Sequence, residues 1–165
     1  MAYKDMVLIR PITDSIGACA MDFTRDTNDF LSYITTVKRD WARASSELLN
    51  LVEHWQDLSM KHFAGMTSIA AKERSIEGEV LGKQFSIEIN PISLDKAGLA
   101  EAVLFLRQVG GSKSELGRFS VRRDGAILSS DGSVLVYPQD DHYSYQIFTT
   151  IMHAVIEAPT PVDAE

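Results

Sequence analysis

Apolar residues in the first half of the chain recur at the spacing of one face of an α-helix. Their positions alternate in steps of four and three without a break, which is the pattern of a single apolar stripe. The stripe consists of Phe30, Ile34, Val37, Trp41, Ala44, Leu48, Leu51, Trp55 and Leu58. This pattern predicts a long N-terminal helical region, which continues less regularly as far as Ile69.

The length of this helical region leaves two interpretations open. A continuous helix over 28–71 would be about 66 Å long, whereas a globular chain of this length is about 40 Å across. The helix therefore either breaks, for which Gly65 is a candidate, or projects and pairs with a second chain. The stripe then faces the core of its own domain or forms a homodimer interface. The predicted helix interface consists of Trp41, Leu48, Leu51 and Trp55.

Beyond Arg74 the apolar period changes from helical to two. In the segment 85–90, Phe85, Ile87 and Ile89 alternate with polar residues, which is typical of a half-buried strand. Residues 75–81 are expected to pair with it through a turn at 82–83. The N-terminal segment 6–12 also predicts a short strand, confined to a sheet edge by its proline.

Residues 93–111 are compatible with two structures. One is a helix capped by Ser93 and ended at Gly110. The other is a strand from Leu99 to Val109, apolar on both faces and therefore central in a sheet. The hairpin signals on both sides of the segment favour the strand.

Two Asp-Gly steps seven residues apart, at 124–125 and 131–132, predict two hairpins with two-residue type I′ turns. That register assigns one face to the core, namely Phe119, Val121, Leu128, Leu135 and Tyr137. The opposite face then carries an apolar row of Ile127, Val134 and Val136. Such a row needs a cover, so it predicts either a covering helix or a second protein interface.

The C-terminal region predicts a helix from about 142 to 157, capped by Asp140 or Asp141, followed by a flexible acidic tail at 158–165. The order of elements defines an α+β fold in a single domain over 1–157. We expect an antiparallel meander sheet of five or six strands, packed by a long N-terminal helical region and a C-terminal helix.

The charge balance adds one feature to this picture. The chain carries 23 acidic and 16 basic residues, a net charge of −7, which disfavours a general nucleic-acid coat. One segment departs from this balance, with five basic residues and a single acid over 107–123. The basic residues are Arg107, Lys113, Arg118, Arg122 and Arg123. They are interpreted as charges that protect a sheet edge, or as a patch that binds an acidic protein or nucleic acid.

The sequence offers little catalytic chemistry. The single cysteine, Cys19, excludes an intrachain disulfide and a cysteine-based zinc site. The chain contains no P-loop, no G-x-G-x-x-G and no H-E-x-x-H motif, and its four histidines lie far apart. We therefore predict no catalytic residue, no metal and no cofactor. The absence of a long apolar run predicts no membrane span and no secretory signal, hence a cytoplasmic protein.

These observations favour a non-enzymatic protein-binding module that acts as a homodimer. It would be an adaptor, an inhibitor or a chaperone-like accessory protein. One alternative is a small-ligand binder or enzyme with a pocket between sheet and helices, lined by Arg107, Tyr137, His142 and Tyr143. The other is nucleic-acid binding through the basic segment 107–123.

Overall fold

The computed structural model describes residues 20–160, in which a long helix precedes a sheet and a second helix follows it. The helices are α1 (Phe30–His62) and α2 (Tyr143–Glu157). The strands are β1 (Thr67–Ala71), β2 (Ser75–Val80), β3 (Lys83–Leu94), β4 (Ala97–Arg107), β5 (Lys113–Val121), β6 (Ile127–Leu128) and β7 (Val134–Val136). The predicted strand over 6–12, Cys19 and the last residues of the predicted tail lie outside the described residues.

The sheet is an antiparallel meander whose spatial order is the order of the sequence, from β1 to β7. The predicted α+β class with a meander sheet and two flanking helical elements is confirmed. The predicted count of five or six strands in the sheet is wrong, since residues 20–160 form seven. Residues 67–71 form strand β1, although the apolar stripe suggested that the helix continued through them.

Helix α1 ends at His62 because the chain reverses direction over the next four residues. Gly65 adopts a φ of 77°, a left-handed conformation that glycine tolerates best. The amide nitrogens of Met66 and Thr67 both donate to the carbonyl of Phe63, at 2.9 and 3.2 Å. The chain thus enters β1 beside the end of the helix, and the predicted break at Gly65 is confirmed.

The buried face of α1 turns slowly away from the predicted stripe. Its buried residues are Asp40, Ala44, Leu48, Val52, Trp55 and Ser59. The predicted stripe follows a period of 3.5 residues, whereas a straight α-helix has 3.6 residues per turn, so the two separate by about 20° per heptad. For this reason Ala44, Leu48 and Trp55 are shared by both sets, while Val52 replaces Leu51.

Strands β3 and β4 form the longest hairpin and the centre of the sheet. Strand β4 confirms the favoured interpretation of 93–111 as a strand. Pro91 lies within β3 opposite Ala100, beyond the point where β2 begins opposite Glu88. Because no strand of the described part of the chain flanks Pro91 on its other side, its missing N–H removes no ladder bond there.

The predicted two-residue turns at the Asp-Gly steps are wrong. In the first hairpin Arg122 donates to Ala126 at 2.9 Å and Gly125 donates to Arg122 at 2.8 Å, which closes a three-residue loop. The second loop has the same bonds between Ser129 and Ser133. In both loops only the glycine has a positive φ, 92° at Gly125, as in a type I turn followed by a bulge.

The extra residue in the first loop shifts the register by one and exchanges the faces of β6 relative to β5. The register irregularity between Ile127 and Leu128 reverses the shift of the second loop, so Val136 lies opposite Ile127. Both side chains therefore point into the core, where they are 4% and 8% exposed. Leu135 and Tyr137, which were expected in the core, are exposed. On the preceding strand Val121 is buried in the core as expected.

Helix α2 confirms the predicted C-terminal helix, although its N-cap residue is His142 in a left-handed conformation, not Asp140 or Asp141. It packs on the same side of the sheet as α1, and Trp55 of α1 contacts Phe148 of α2. At its C-terminal end the Lys83 ammonium donates to the carbonyls of Val155, Ile156 and Ala158. We call this side of the sheet the helix-facing side and the opposite side the outer side.

Gly98 allows α1 to approach the β3–β4 hairpin closely. A Cβ atom at this position would lie 2.3 Å from the carbonyl oxygen of Val37, a backbone atom that cannot move aside. We expect Gly98→Ala to lower the free energy of unfolding by about 1–3 kcal/mol in urea denaturation, because the helix must shift. Gly117→Ala is the matched control, since a Cβ there meets nothing within 4 Å. Equal stability of the two variants would contradict this close approach.

Candidate protein-binding surfaces

The four residues predicted as a helix interface belong to the packing of α1 on its own sheet. Leu48 and Trp55 are fully buried, and the Trp55 indole nitrogen donates to the Ser144 carbonyl at 3.0 Å. Trp41 and Leu51 are half-buried against the same core. These side chains are therefore occupied within the chain.

The N-terminal end of α1 is different, because its apolar residues are exposed. Phe30, Leu31 and Ile34 have exposed fractions of 59%, 78% and 47%, and no residue of α1 before Asp40 is buried. Phe30 and Ile34 are members of the predicted stripe and lie one turn apart on the helix. We call Phe30, Leu31 and Ile34 the α1 end patch.

Strand β1 forms one edge of the sheet, and its hydrogen-bonding directions can be assigned. Leu81 donates to the carbonyl of Met66 at 2.9 Å, and Lys72 donates to the carbonyl of Ser75 at 2.7 Å. Antiparallel pairs alternate between bonded and non-bonded residues, so Ser68 and Ala70 also bond to β2. The N–H and C=O of Ile69 therefore point to the open edge.

A groove lies between this edge and the C-terminal part of α1. Its volume is about 480 Å³. It is lined by Gln56, Ser59, Met60, Ala64, Gly65, Thr67, Ser68 and Ile69. None of these residues carries a charge, in a chain whose net charge is −7. We call it the β1 groove.

The predicted sheet interface is largely internal. Ile127 and Val136 are buried in the core, and Val134 is half-buried. The outer side has its own apolar residues, Leu99 and Leu128, but each is only 4% exposed. These positions therefore offer little apolar surface to a partner.

Each cation of the basic segment is paired with a carboxylate. Three of the cations lie on the outer side or around it: Arg107 pairs with Glu77 at 2.8 Å, Lys113 with Glu88, and Arg118 with both Glu101 and Glu115. The other two are Arg122 with Asp124 at 2.7 Å and Arg123 with Asp40 at 3.5 Å. The Arg118 guanidinium lowers the pKa of Glu115, mainly through its hydrogen bonds. The positive charges are balanced locally, so this arrangement does not favour nucleic-acid binding.

Asp40 is the one buried charged residue among those that the structure describes, with an exposed fraction of 3%. Its carboxylate accepts a hydrogen bond from the Gly98 amide at 3.3 Å and lies 3.6 Å from the Arg39 guanidinium. Its contact with Arg123 joins the 122–126 loop to α1. These contacts indicate a structural anchor between α1, the β3–β4 hairpin and that loop.

The four residues predicted to line a ligand pocket do not converge. Arg107 lines a groove of about 460 Å³ at the 82–84 turn, whose lining does not include Tyr137, His142 or Tyr143. Tyr143 donates its hydroxyl to the Gly125 carbonyl, and burial raises its pKa to about 12. The space between sheet and helices is filled instead by large side chains, with Trp55, Phe85 and Phe148 at 0–2% exposure.

Residues 20–160 show few features of a catalytic site or a metal site. No group of three or more His, Cys, Asp or Glu residues in this range could hold a metal ion. His54 Nδ1 lies 2.6 Å from the Ser144 hydroxyl, but no described carboxylate bonds to the other ring nitrogen, as a catalytic triad requires. In the same range no helix is long and apolar enough to cross a membrane.

Comparison of the chain with protein-family models, with curated proteins and with solved structures found no match.

The hydrogen bond of Tyr143 gives a pH-dependent prediction. Tyr143→Phe should lower the free energy of unfolding by about 1 kcal/mol at pH 7. The folded chain holds the phenol proton up to about pH 12, whereas the ordinary pKa is 10.0. This contribution is therefore complete below pH 10 and is lost as the pH rises towards 12. Urea denaturation should show the difference between wild type and variant shrinking over that range, and a constant difference would contradict the assignment.

The matched control is Tyr145→Phe, on the exposed side of the same helix. It should change the free energy of unfolding at pH 7 by no more than about 0.5 kcal/mol, because an exposed phenol contributes little to stability.

The paired cations give a second prediction. The protein should pass unretained over immobilised duplex DNA at about 50 mM salt, where phosphate contacts are strong. Salt-dependent retention that Arg118→Gln abolishes would show instead that the segment 107–123 binds nucleic acid despite its ion pairs.

Proposed function

We propose that the chain is a non-enzymatic protein-binding module, acting as an adaptor, inhibitor or chaperone-like accessory protein, and that it forms a homodimer. The observation that supports the proposed homodimer is the α1 end patch. It is an apolar surface at one end of a helix whose remaining apolar face packs on the sheet. A soluble chain covers such a surface most simply with a second copy of itself.

The area of the patch is that of part of an interface. With about 200 Å² for an aromatic and about 100 Å² for an aliphatic side chain, its three residues expose roughly 240 Å² of apolar surface per copy. Two copies would contribute roughly 480 Å², about half of the apolar share of a standard interface, so a dimer centred here would include further residues.

A two-fold axis near Ile34 would bring the apolar residues of the two end patches together in an antiparallel pair of α1 helices.

The absence of converging catalytic side chains in residues 20–160 supports a binding role. The α1 end patch and the β1 groove are two separate surfaces that a partner could bind. A module with two such surfaces fits the adaptor class better than the enzyme class.

Ile34→Glu tests the dimer, because a two-fold axis at this residue would bring two like charges together. Light scattering over a dilution series should give twice 18.3 kDa for the wild type and 18.3 kDa for the variant. Since Ile34 is 47% exposed within one chain, the variant monomer should remain folded and should still unfold cooperatively in a thermal melt.

Ser32→Glu is the matched control, because Ser32 is exposed and lies on the opposite side of the helix from Ile34. This variant should remain dimeric. A wild type of 18.3 kDa at every concentration, or a dimeric Ile34→Glu variant, would refute the proposed interface.

A further inference from the structure

We propose that the β1 edge binds an extended, uncharged segment of a client protein as an additional antiparallel strand, with apolar side chains in the β1 groove. This inference rests on the proposed protein-binding function and names the kind of partner. It is supported by the difference between the two edges of the sheet and by the uncharged lining of the groove.

The two edges differ in their protection. Natural sheet edges are protected by charges, proline, bulges or short length. Strand β7 is three residues long and has a register shift against β6. Strand β1, with the sequence TSIAA, has neither charge nor proline, and its five pairs with β2 are in continuous register. Within residues 20–160 no strand pairs with its other side, so this edge presents an open template for another strand.

The open backbone groups of β1 define how a segment would bind. The N–H and C=O of Ile69 point outward, as do the C=O of Thr67 and the N–H of Ala71, by the same alternation. The Thr67 amide itself is occupied by the Phe63 carbonyl. An antiparallel client strand would place one residue opposite Ile69 and bond on either side of it.

The direction of the client side chains follows from this register. Residues directly opposite each other in an antiparallel pair point to the same face. Ile69 points to the helix-facing side, where it is 7% exposed. Every second client side chain would therefore point towards α1 and enter the β1 groove.

The lining of the groove defines the chemistry of those side chains. A client charge would lose its hydration beside eight uncharged residues without gaining a counter-ion. Met60 lines the groove with an exposed fraction of 68%, and Met66, 47% exposed, stands beside it. Exposed methionines adapt their shape to varied apolar partners, so the groove suits aliphatic or aromatic side chains.

A second copy of the chain fits this edge less well than a client segment does. In a two-fold pair of β1 strands the side chain of Ile69 in the other copy would remain packed beneath its own α1. The groove would then stay empty. The occupant is therefore a segment whose side chains are free to enter it.

The test uses three capped peptides in which Val, Leu or Phe alternates with Thr between terminal lysines. Fluorescence anisotropy with the full chain measures their dissociation constants, and amide exchange reports the protection of Ile69 and Ala71. We expect at least one peptide to bind and to protect both amides. An N-methylated version of that peptide, which cannot donate to the edge, should bind at least about tenfold more weakly.

Two variants test the two halves of the site. Ala71→Pro removes an outward N–H without breaking the β1–β2 ladder, and Met60→Glu places a charge in the groove. Each should weaken binding at least about tenfold. Val109→Glu, at a fully exposed position outside the groove, is the control and should bind as the wild type does. If Ala71→Pro fails to fold, Met60→Glu still tests the proposal, because Met60 is largely exposed and its substitution should leave the chain folded.

The proposal would be overturned if none of the three peptides binds, or if neither substitution weakens peptide binding. Protection of the Ile69 amide that rises with protein concentration in the absence of peptide would overturn it in favour of a second copy. Peptide binding by Ile34→Glu separates the two proposals. If the monomeric variant binds peptide, the proposal for the β1 edge is supported whether or not the wild type forms a dimer. If the wild type forms a dimer but binds no peptide, only the proposal for the β1 edge is refuted.

Discussion

The packing of α1 against the centre of the sheet is the interaction on which the remaining structure depends. Leu48, Val52 and Trp55 are buried at this interface, each contributing about 1.5–3 kcal/mol by removal from water. Gly98 lets the helix backbone touch the hairpin, and the Asp40 carboxylate joins the helix to that hairpin and to the 122–126 loop. Trp55 extends the same contact to Phe148, so that α2 also depends on it.

This packing also decides which surfaces are available to partners. The outer side of the sheet pairs its own charges, as with Lys113 and Glu88, and buries Leu99 and Leu128, whereas Leu135 stays exposed. The α1 end patch and the β1 groove lie near opposite ends of α1, whose 33 residues span about 50 Å. A dimer contact at the α1 end patch and a client strand at the β1 groove would therefore not compete. This separation suits a protein that joins two partners.

Several elements of the fold could be predicted from the sequence, and the errors have specific causes. The periods of 3.6 and 2 identify α1, α2 and β3, because one buried face imposes a regular spacing on each. Strand β4 is apolar on both faces, so only the hairpin signals beside it indicate a strand. The prediction of the turn type was wrong, because an Asp-Gly step is compatible with both a two-residue turn and a three-residue loop. Strand β1 was missed because its apolar residues, including Ile69, continue the helical spacing by chance.

The candidate surfaces were harder to predict than the fold. The sequence placed Phe30 and Ile34 on the same stripe as Leu48 and Trp55, but nothing in the pattern separates the exposed end from the buried middle. The basic segment looked like a patch because its carboxylate partners, such as Glu77 and Glu88, come from earlier strands. The short uncharged segment between Gly65 and Lys72 was the one local signal of an open edge.

The sequence by itself determined the class of the fold, the two helices and the central strands, because these follow from local period and propensity. Only the tertiary structure decided the register of β5 to β7, the pairing of the cations and the exposure of the α1 end. Each of these depends on groups far apart in the chain: one residue in a loop exchanges the faces of whole strands, and the sheet brings Arg107 beside Glu77. A linear pattern contains the spacing of side chains but not the neighbours that cover them.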